Sequence, residues 1–172
     1  GARLMSSPDA VAGLTPDERA TLTTMTAELG GFTGIVAPDE ETVRFLRERR
    51  GVHFEIEDWM HSDAGAAYAH SIQVDCAAIV PMVATPGDPG NGMPLSQLGR
   101  SVRVDIAYGG SCTAGKREDF ERYHDVLRWA ADHGLRVPQG VQLFLQFGTT
   151  AVRDHCKAAG YLEAFEQVGA RI

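Results

Sequence analysis

The stretch Gly109-Gly110-Ser111-Cys112-Thr113-Ala114-Gly115-Lys116 sets a single thiol among glycines and hydroxyls. A strand-like run, VRVDIAY (102–108), precedes it, and a helix-like run, KREDFERYHDVLRWAADHG (116–134), follows. Cys112 is thereby expected at the carboxyl end of a strand and near a helix start, where open α/β sheets bind ligands. Backbone N–H groups and the helix dipole lower a thiol's pKa there, and a thiolate can serve as nucleophile, redox sensor or metal ligand. A free Cys is as commonly an inert core residue, so these residues leave both outcomes open. The same stretch half-matches a phosphate-cradling loop, Gly110-x-x-x-x-Gly115-Lys116. That motif needs a hydroxyl directly after the Lys to bind magnesium. Arg117 stands there, so a nucleotide site is not expected. Lys116 then reads as a solvated residue of the first helical turn, and Lys116 and Arg117 occupy first-turn positions that could face an anionic substrate.

Alternating strands and helices must position this segment, which makes the fold class α/β. LTPDERATLTTMTAELGG (14–31) predicts a helix: Thr15 caps it, Pro16 opens it, Glu18 completes a capping box, and Gly30-Gly31 ends it. PDEETVRFLRERR (38–50) predicts a second, acidic first and basic last, as the helix dipole favours. FTGIVA (32–37), VHFEIED (52–58) and SIQVDCAAIVPMVA (71–84, broken at Pro81) read as strands. TPGDPGNGMPLSQLG (85–99) is dense in Pro and Gly and marks a domain boundary. Beyond the 116–134 helix, VQLFLQF (141–147) is a strand, and TAVRDHCKAAG and LEAFEQVG are short helices. On the long helix Phe120, Val126, Leu127, Trp129 and Ala130 form the apolar set.

Composition excludes several classes. The 172 residues are 44% hydrophobic and 23% charged, with a net charge of −7. An acidic chain does not offer the basic face that nucleic acid requires. No apolar run is long enough to span a bilayer. Three widely spaced cysteines argue against a disulfide framework, so a reducing, cytoplasmic setting is expected. His53, His61, His70, His124, His133 and His155 show no metal-ligand spacing.

GGSCTAGKREDF resembles the G-S-C-T-N-x-x-x-E-D segment of the aconitase and 3-isopropylmalate dehydratase family. Three more segments agree in order and spacing. RATLTTMTAELGGFTGIVAPDEET (19–42) is similar to R-x-T-x-x-N-M-x-x-E-x-G-A followed by P-D-x-x-T. SDAGAAYAHSIQVDCAAIVPMVATPGDPGNGMPL (62–95) resembles S-D-x-x-A-x-Y and the P-x-x-P-x-N loop. FGTTAVRDHCKAAGYLEAFEQVGARI (147–172) resembles the stretch before the family's remaining cluster cysteines. The resemblance runs from Leu14 to Ile172.

It implies a [4Fe–4S] cluster with Cys112 as one of three thiolate ligands, and Thr24, Ser111 and Thr113 beside that cofactor. Glu28 takes the place of a family Glu near cluster and substrate. Four residues after Thr24, it is expected on the same helical face. Asn91, Asp63 and Tyr68 match family positions too, Asn91 as a turn residue. Cys76 and Cys156 do not match the other ligand positions and are expected to pack in the fold. The implied activity is that of a hydro-lyase acting on a hydroxy di- or tricarboxylic acid, with one cluster iron polarising the substrate. Implied partners are that small acid and the remaining aconitase-type domains or a small swivel subunit. Residues 1–92 would be part of the second aconitase-like domain, and 93–172 the start of the third. Such an internal piece, with one of three thiolates, is expected to hold no cluster and to turn over nothing by itself. Two departures stand out: Thr24 and Ala114 replace family Asn residues, which removes hydrogen-bond donors near the cluster. They favour the alternative, a binding or regulatory module that keeps the fold without the cluster.

Overall fold

A computed structural model describes residues 11–172. They form two compact units that part between Arg100 and Ser101. A division at 92/93 would cut a hairpin. There β1 (Met82–Ala84) runs antiparallel to β2 (Gly92–Pro94), with Ala84 opposite Gly92 and Met82 opposite Pro94. The Pro/Gly segment is therefore largely the turn of one unit. Asp88 organises it by accepting the Gly90 N–H at 2.6 Å, and the Asn91 side chain donates to the Pro86 carbonyl at 3.3 Å.

The first unit also holds helices α1 (Pro16–Thr24) and α2 (Glu40–Arg50). The capping box forms as its spacing demands: Glu18 N–H donates to Thr15 Oγ1 at 3.3 Å, and Thr15 N–H to Glu18 Oε2 at 3.1 Å. The helix stops at Thr24 and does not continue to Gly30. The Thr23 and Thr24 hydroxyls turn back onto the Ala20 carbonyl at 3.1 and 2.7 Å, a local competition that weakens helix continuation. Asp39 caps α2 through the Thr42 N–H at 3.2 Å, and Gly51 closes it in the left-handed region at φ 65°. Segments 32–37 and 52–58 form no strands. Strand preference is realised only against a partner, and neither has a ladder neighbour; Phe32 and Ile35 stand exposed.

Among the described residues of this unit, the buried ones are polar: Asp17, Arg19 and Thr26. Arg19 donates two bonds to Asp39, at 2.7 and 2.8 Å, and so ties α1 to the cap of α2. That guanidinium, ahead of the Thr42 N–H, holds the Asp39 carboxyl below the usual carboxylate range. A depressed carboxylate adds stability that is present above its unfolded pKa and lost as pH falls through the folded one. Acid titration followed by far-UV circular dichroism should thus show helix loss below about pH 4. Asp39→Asn should be less stable at neutral pH and flatten this acid dependence. An unchanged acid profile would contradict the role given to the pair.

The second unit carries the apolar core. Strand β3 (Ile106–Gly110) leads into a helical turn α3 (Ser111–Ala114), then the long helix α4 (Arg117–Asp132). Strand β4 (Gln142–Gln146) returns parallel to β3, with Ile106 opposite Gln142 and Gly110 opposite Gln146. Helices α5 (Thr150–Ala158) and α6 (Tyr161–Val168) follow. At the free edge of β4, Leu145 N–H donates to the Arg171 carbonyl, and Arg171 N–H to that of Leu143, both at 2.8 Å. Phe120, Leu145, Val152, Cys156 and Phe165 make the core. Phe120 sits at its centre, stacked on Phe147 with centroids 4.5 Å apart. Leu127 packs against this cluster, whereas Val126 and Trp129, placed by period on the apolar set, are exposed. Among the described residues no helix is long and apolar enough to cross a membrane.

Candidate functional site

Cys112 stands on the four-residue turn where β3 hands over to α4, at the carboxyl end of the strand pair. The sequence reaches this point through an unusual backbone. Gly110 has φ 124° and ψ −136°, a region essentially reserved for glycine. Ser111 follows at φ 65°, the only non-glycine with positive φ among the described residues. Strain of this kind persists only where the surroundings over-determine it.

Those surroundings are backbone against backbone. A Cβ at Gly110 would run into the Gln146 peptide, 2.8 Å from its carbonyl carbon and 2.9 Å from its nitrogen. One at Gly115 would meet the Gly148 nitrogen at 2.6 Å, and one at Gly148 the Gly115 oxygen at 2.9 Å. Gly148 N–H in fact donates to the Gly115 carbonyl at 2.9 Å. Three glycines thus let the thiol-bearing turn lie on the loop leaving β4. Gln146 and Gly148 also line an open cleft with Thr149, Thr150, Arg153 and Arg171. Sequence patterns alone missed this second loop. Its signal was Gly148 followed by the cap Thr149, whose Oγ1 accepts the Val152 N–H at 3.2 Å.

The thiol is exposed and lies between two hydroxyls, Thr113 Oγ1 at 3.9 Å and Ser111 Oγ at 4.0 Å. The Thr113 hydroxyl first, then that of Ser111, with the backbone N–H groups of Cys112 and Thr113 after them, hold its pKa below the ordinary thiol value. The flanking hydroxyls thus exceed the backbone contribution expected from a helix start. Cys156 is the opposite case: fully buried, its thiol is pushed up to about 11, first by desolvation. Cys76 is exposed and belongs to the other unit, not packed as expected.

Lys116 is not solvated. Its Nζ turns back to donate to the Thr113 carbonyl and pairs with Asp119 Oδ2 at 2.8 Å, its side chain 15% exposed. An ammonium committed in this way does not reach out as a phosphate-binding Lys does. Ser111, Cys112 and Thr113 are brought together. Thr24 and Glu28 lie in the first unit. Glu28 does not share a helical face with Thr24, because α1 ends at Thr24 and Glu28 follows in exposed turns, its N–H on the Met25 carbonyl at 3.1 Å. Thr24 spends its hydroxyl on the Ala20 carbonyl.

An exposed thiol with a depressed pKa suits iron, and Cys112 fits one ligand position of a [4Fe–4S] cluster. Cys156, protonated in an apolar core, does not. Among the described residues no group of three His, Cys, Asp or Glu side chains is arranged to hold a metal ion. The chemistry of Cys112 thus fits one ligand position of such a cluster, while the described residues hold no three-ligand group.

A parallel β-α-β unit with a thiol at the strands' carboxyl ends has the layout of an α/β ligand-binding or catalytic domain. Comparison with known proteins gives the family. The model of the aconitase family (aconitate hydratase) matches residues 8–102 and 97–172, and the chain belongs to that family. The 3-isopropylmalate dehydratase large subunit of Heliobacterium modesticaldum is 32% identical over 163 residues, covering 95% of this chain and 37% of that protein. The 2,3-dimethylmalate dehydratase large subunit of Eubacterium barkeri is 32% identical over 162 residues, covering 94% and 37%. That of 3-isopropylmalate dehydratase from Desulfitobacterium hafniense is 32% identical over 173 residues, covering 99% and 39%. The chain thus spans well under half the length of these curated relatives.

Proposed function

We propose that this chain is the cluster-cysteine portion of a hydro-lyase that removes and adds water on a hydroxy di- or tricarboxylic acid. One observation carries the proposal: the turn Gly110–Ala114 presents an exposed thiol, depressed in pKa, at the strands' carboxyl ends. Cys112 supplies one thiolate to a [4Fe–4S] cluster, whose chemistry when bound is Lewis-acid polarisation of the substrate's hydroxyl. Ser111 and Thr113 hold the thiolate by hydrogen bonds. Glu28 acts beside the substrate, and Thr24 lies near the cluster. The substrates named for the relatives, 3-isopropylmalate and 2,3-dimethylmalate, are the first to try, with citrate next. The first unit, through Arg100, corresponds to part of the family's second domain, and the second unit to the start of its third. A small subunit or further domains complete the site, in the cytoplasm. By itself the chain holds no cluster and has no turnover.

A second reading has its own observation. Thr24 uses its hydroxyl within its own helix, and Ala114 has no side-chain donor, so neither replaces the amide of a family Asn. This favours a binding module that keeps the fold without the cluster.

The test is the intact protein in which this chain occurs, purified without oxygen and supplied with iron and sulfide. The expected result is a brown protein that dehydrates one of the three acids, with activity lost on iron chelation. An intact protein that takes up no iron, yet binds a carboxylic acid in calorimetry, overturns the hydro-lyase proposal in favour of the module.

A further inference from the structure

We propose that Tyr123 is a positioning residue for Cys112, its hydroxyl holding the Ala114 carbonyl that closes the Ser111–Ala114 turn while Lys116 holds the carbonyl of Thr113 before it. The inference rests on the role proposed for Cys112, but its geometry is independent of any cluster. Tyr123 OH donates to the Ala114 carbonyl at 3.0 Å, and a Cβ at Gly109, just before the turn, would lie 3.3 Å from the same oxygen. One phenol therefore lies against the end of β3 and holds the last carbonyl of the turn. Burial raises the phenol's pKa, so it stays a protonated donor at neutral pH. The ring is fixed edge-on to Phe120, centroids 5.3 Å apart, and a Cβ at Gly109 would meet its Cζ at 3.2 Å. Gly109 thus admits the ring beneath the turn. Lys116 Nζ donates to the Thr113 carbonyl, and Asp119 fixes Lys116 through its ammonium at 2.8 Å and its N–H at 2.9 Å.

The thiol is exposed, so core packing does not orient it. The strained backbone at Ser111 must be held from outside the turn, and the Tyr123 and Lys116 contacts meet that need. With the Thr113 and Ala114 carbonyls engaged, the hydroxyls flanking Sγ keep one arrangement. A ligand thiolate needs that supporting shell as much as it needs its own sulfur.

The experiment uses the 172-residue chain and needs no cluster. Tyr123→Phe keeps the ring and removes the hydroxyl. Amide hydrogen exchange at residues 112–115 should quicken about tenfold, the scale of one lost hydrogen bond, while Leu145, Val152 and Phe165 keep their protection. A nitroxide on Cys112 in a Cys76→Ser background should move from an ordered to a mobile spectrum; Cys156 is buried and unlabelled. Lys116→Met should do the same, and Lys116→Arg, which retains a donor, should restore order. Exchange and spectrum unchanged in Tyr123→Phe would overturn the proposal, as would an equal loss of protection throughout the core. An intact protein without iron would end the hydro-lyase proposal and leave these outcomes as they stand.

Discussion

Gly110→Ala should destabilise the second unit by about 3 kcal/mol or more, from backbone strain and overpacking of about 1–3 kcal/mol each. The two contributions have separate sources. At φ 124° and ψ −136° an L side chain is strained wherever it points. The new methyl would also fall on the Gln146 peptide, which cannot swing aside as a flexible side chain can. Gln146 is paired with Gly110 at the last register position of β3 and β4, so relief would require unzipping the strand ends that carry the thiol turn. Gly134→Ala is the control. It has φ 70° with nothing within 4 Å of the added atom, and should show strain alone, about 1 kcal/mol. Urea unfolding of the two variants separates the cases. Equal midpoints would mean that the backbone junction at Gly110 does not constrain the fold.

Cys112→Ala and Cys156→Ser should give opposite phenotypes. Cys112 is exposed, so its loss should change stability by less than about 0.5 kcal/mol. In the intact protein it should nevertheless abolish iron retention and turnover, because a proposed ligand has gone. Cys156 is fully buried in the core with Phe120 and Phe165. A serine there buries a hydroxyl in apolar surroundings, at a cost of about 1–3 kcal/mol, while iron and turnover persist in the fraction that folds. Thermal unfolding and iron content read together decide the matter. A Cys112→Ala protein with full iron and full turnover would refute the ligand assignment.

The residues differ in how far ahead they could be read. Thr15 and Glu18 act within three residues of each other, so the start of α1 was legible from spacing, and α2 from its acidic-first, basic-last charge order. The end of α1 was not, because Thr23 and Thr24 turned their hydroxyls back onto Ala20. Segments 32–37 and 52–58 have strand-like composition but no neighbour to pair with. The Arg19–Asp39 pair spans twenty residues and leaves no local signal.

By itself, the amino-acid sequence determined the α/β class, the four resembling segments, the single thiol among hydroxyls on a glycine-rich turn, and the failure of the phosphate loop at Arg117. All of these depend on residue type and short spacing, which act through covalent geometry and nearest-neighbour hydrogen bonds. The tertiary structure alone decided which thiols are exposed and which is buried, since exposure of Cys112 and Cys76 and burial of Cys156 are properties of packing. It also turned Lys116 inward to Thr113 and Asp119, set Gly115 on Gly148, and carried Tyr123 beneath the turn. Of these, the Gly115–Gly148 contact joins the thiol turn to the loop after β4, and its partners meet only once β3 and β4 have paired in parallel across an entire helix.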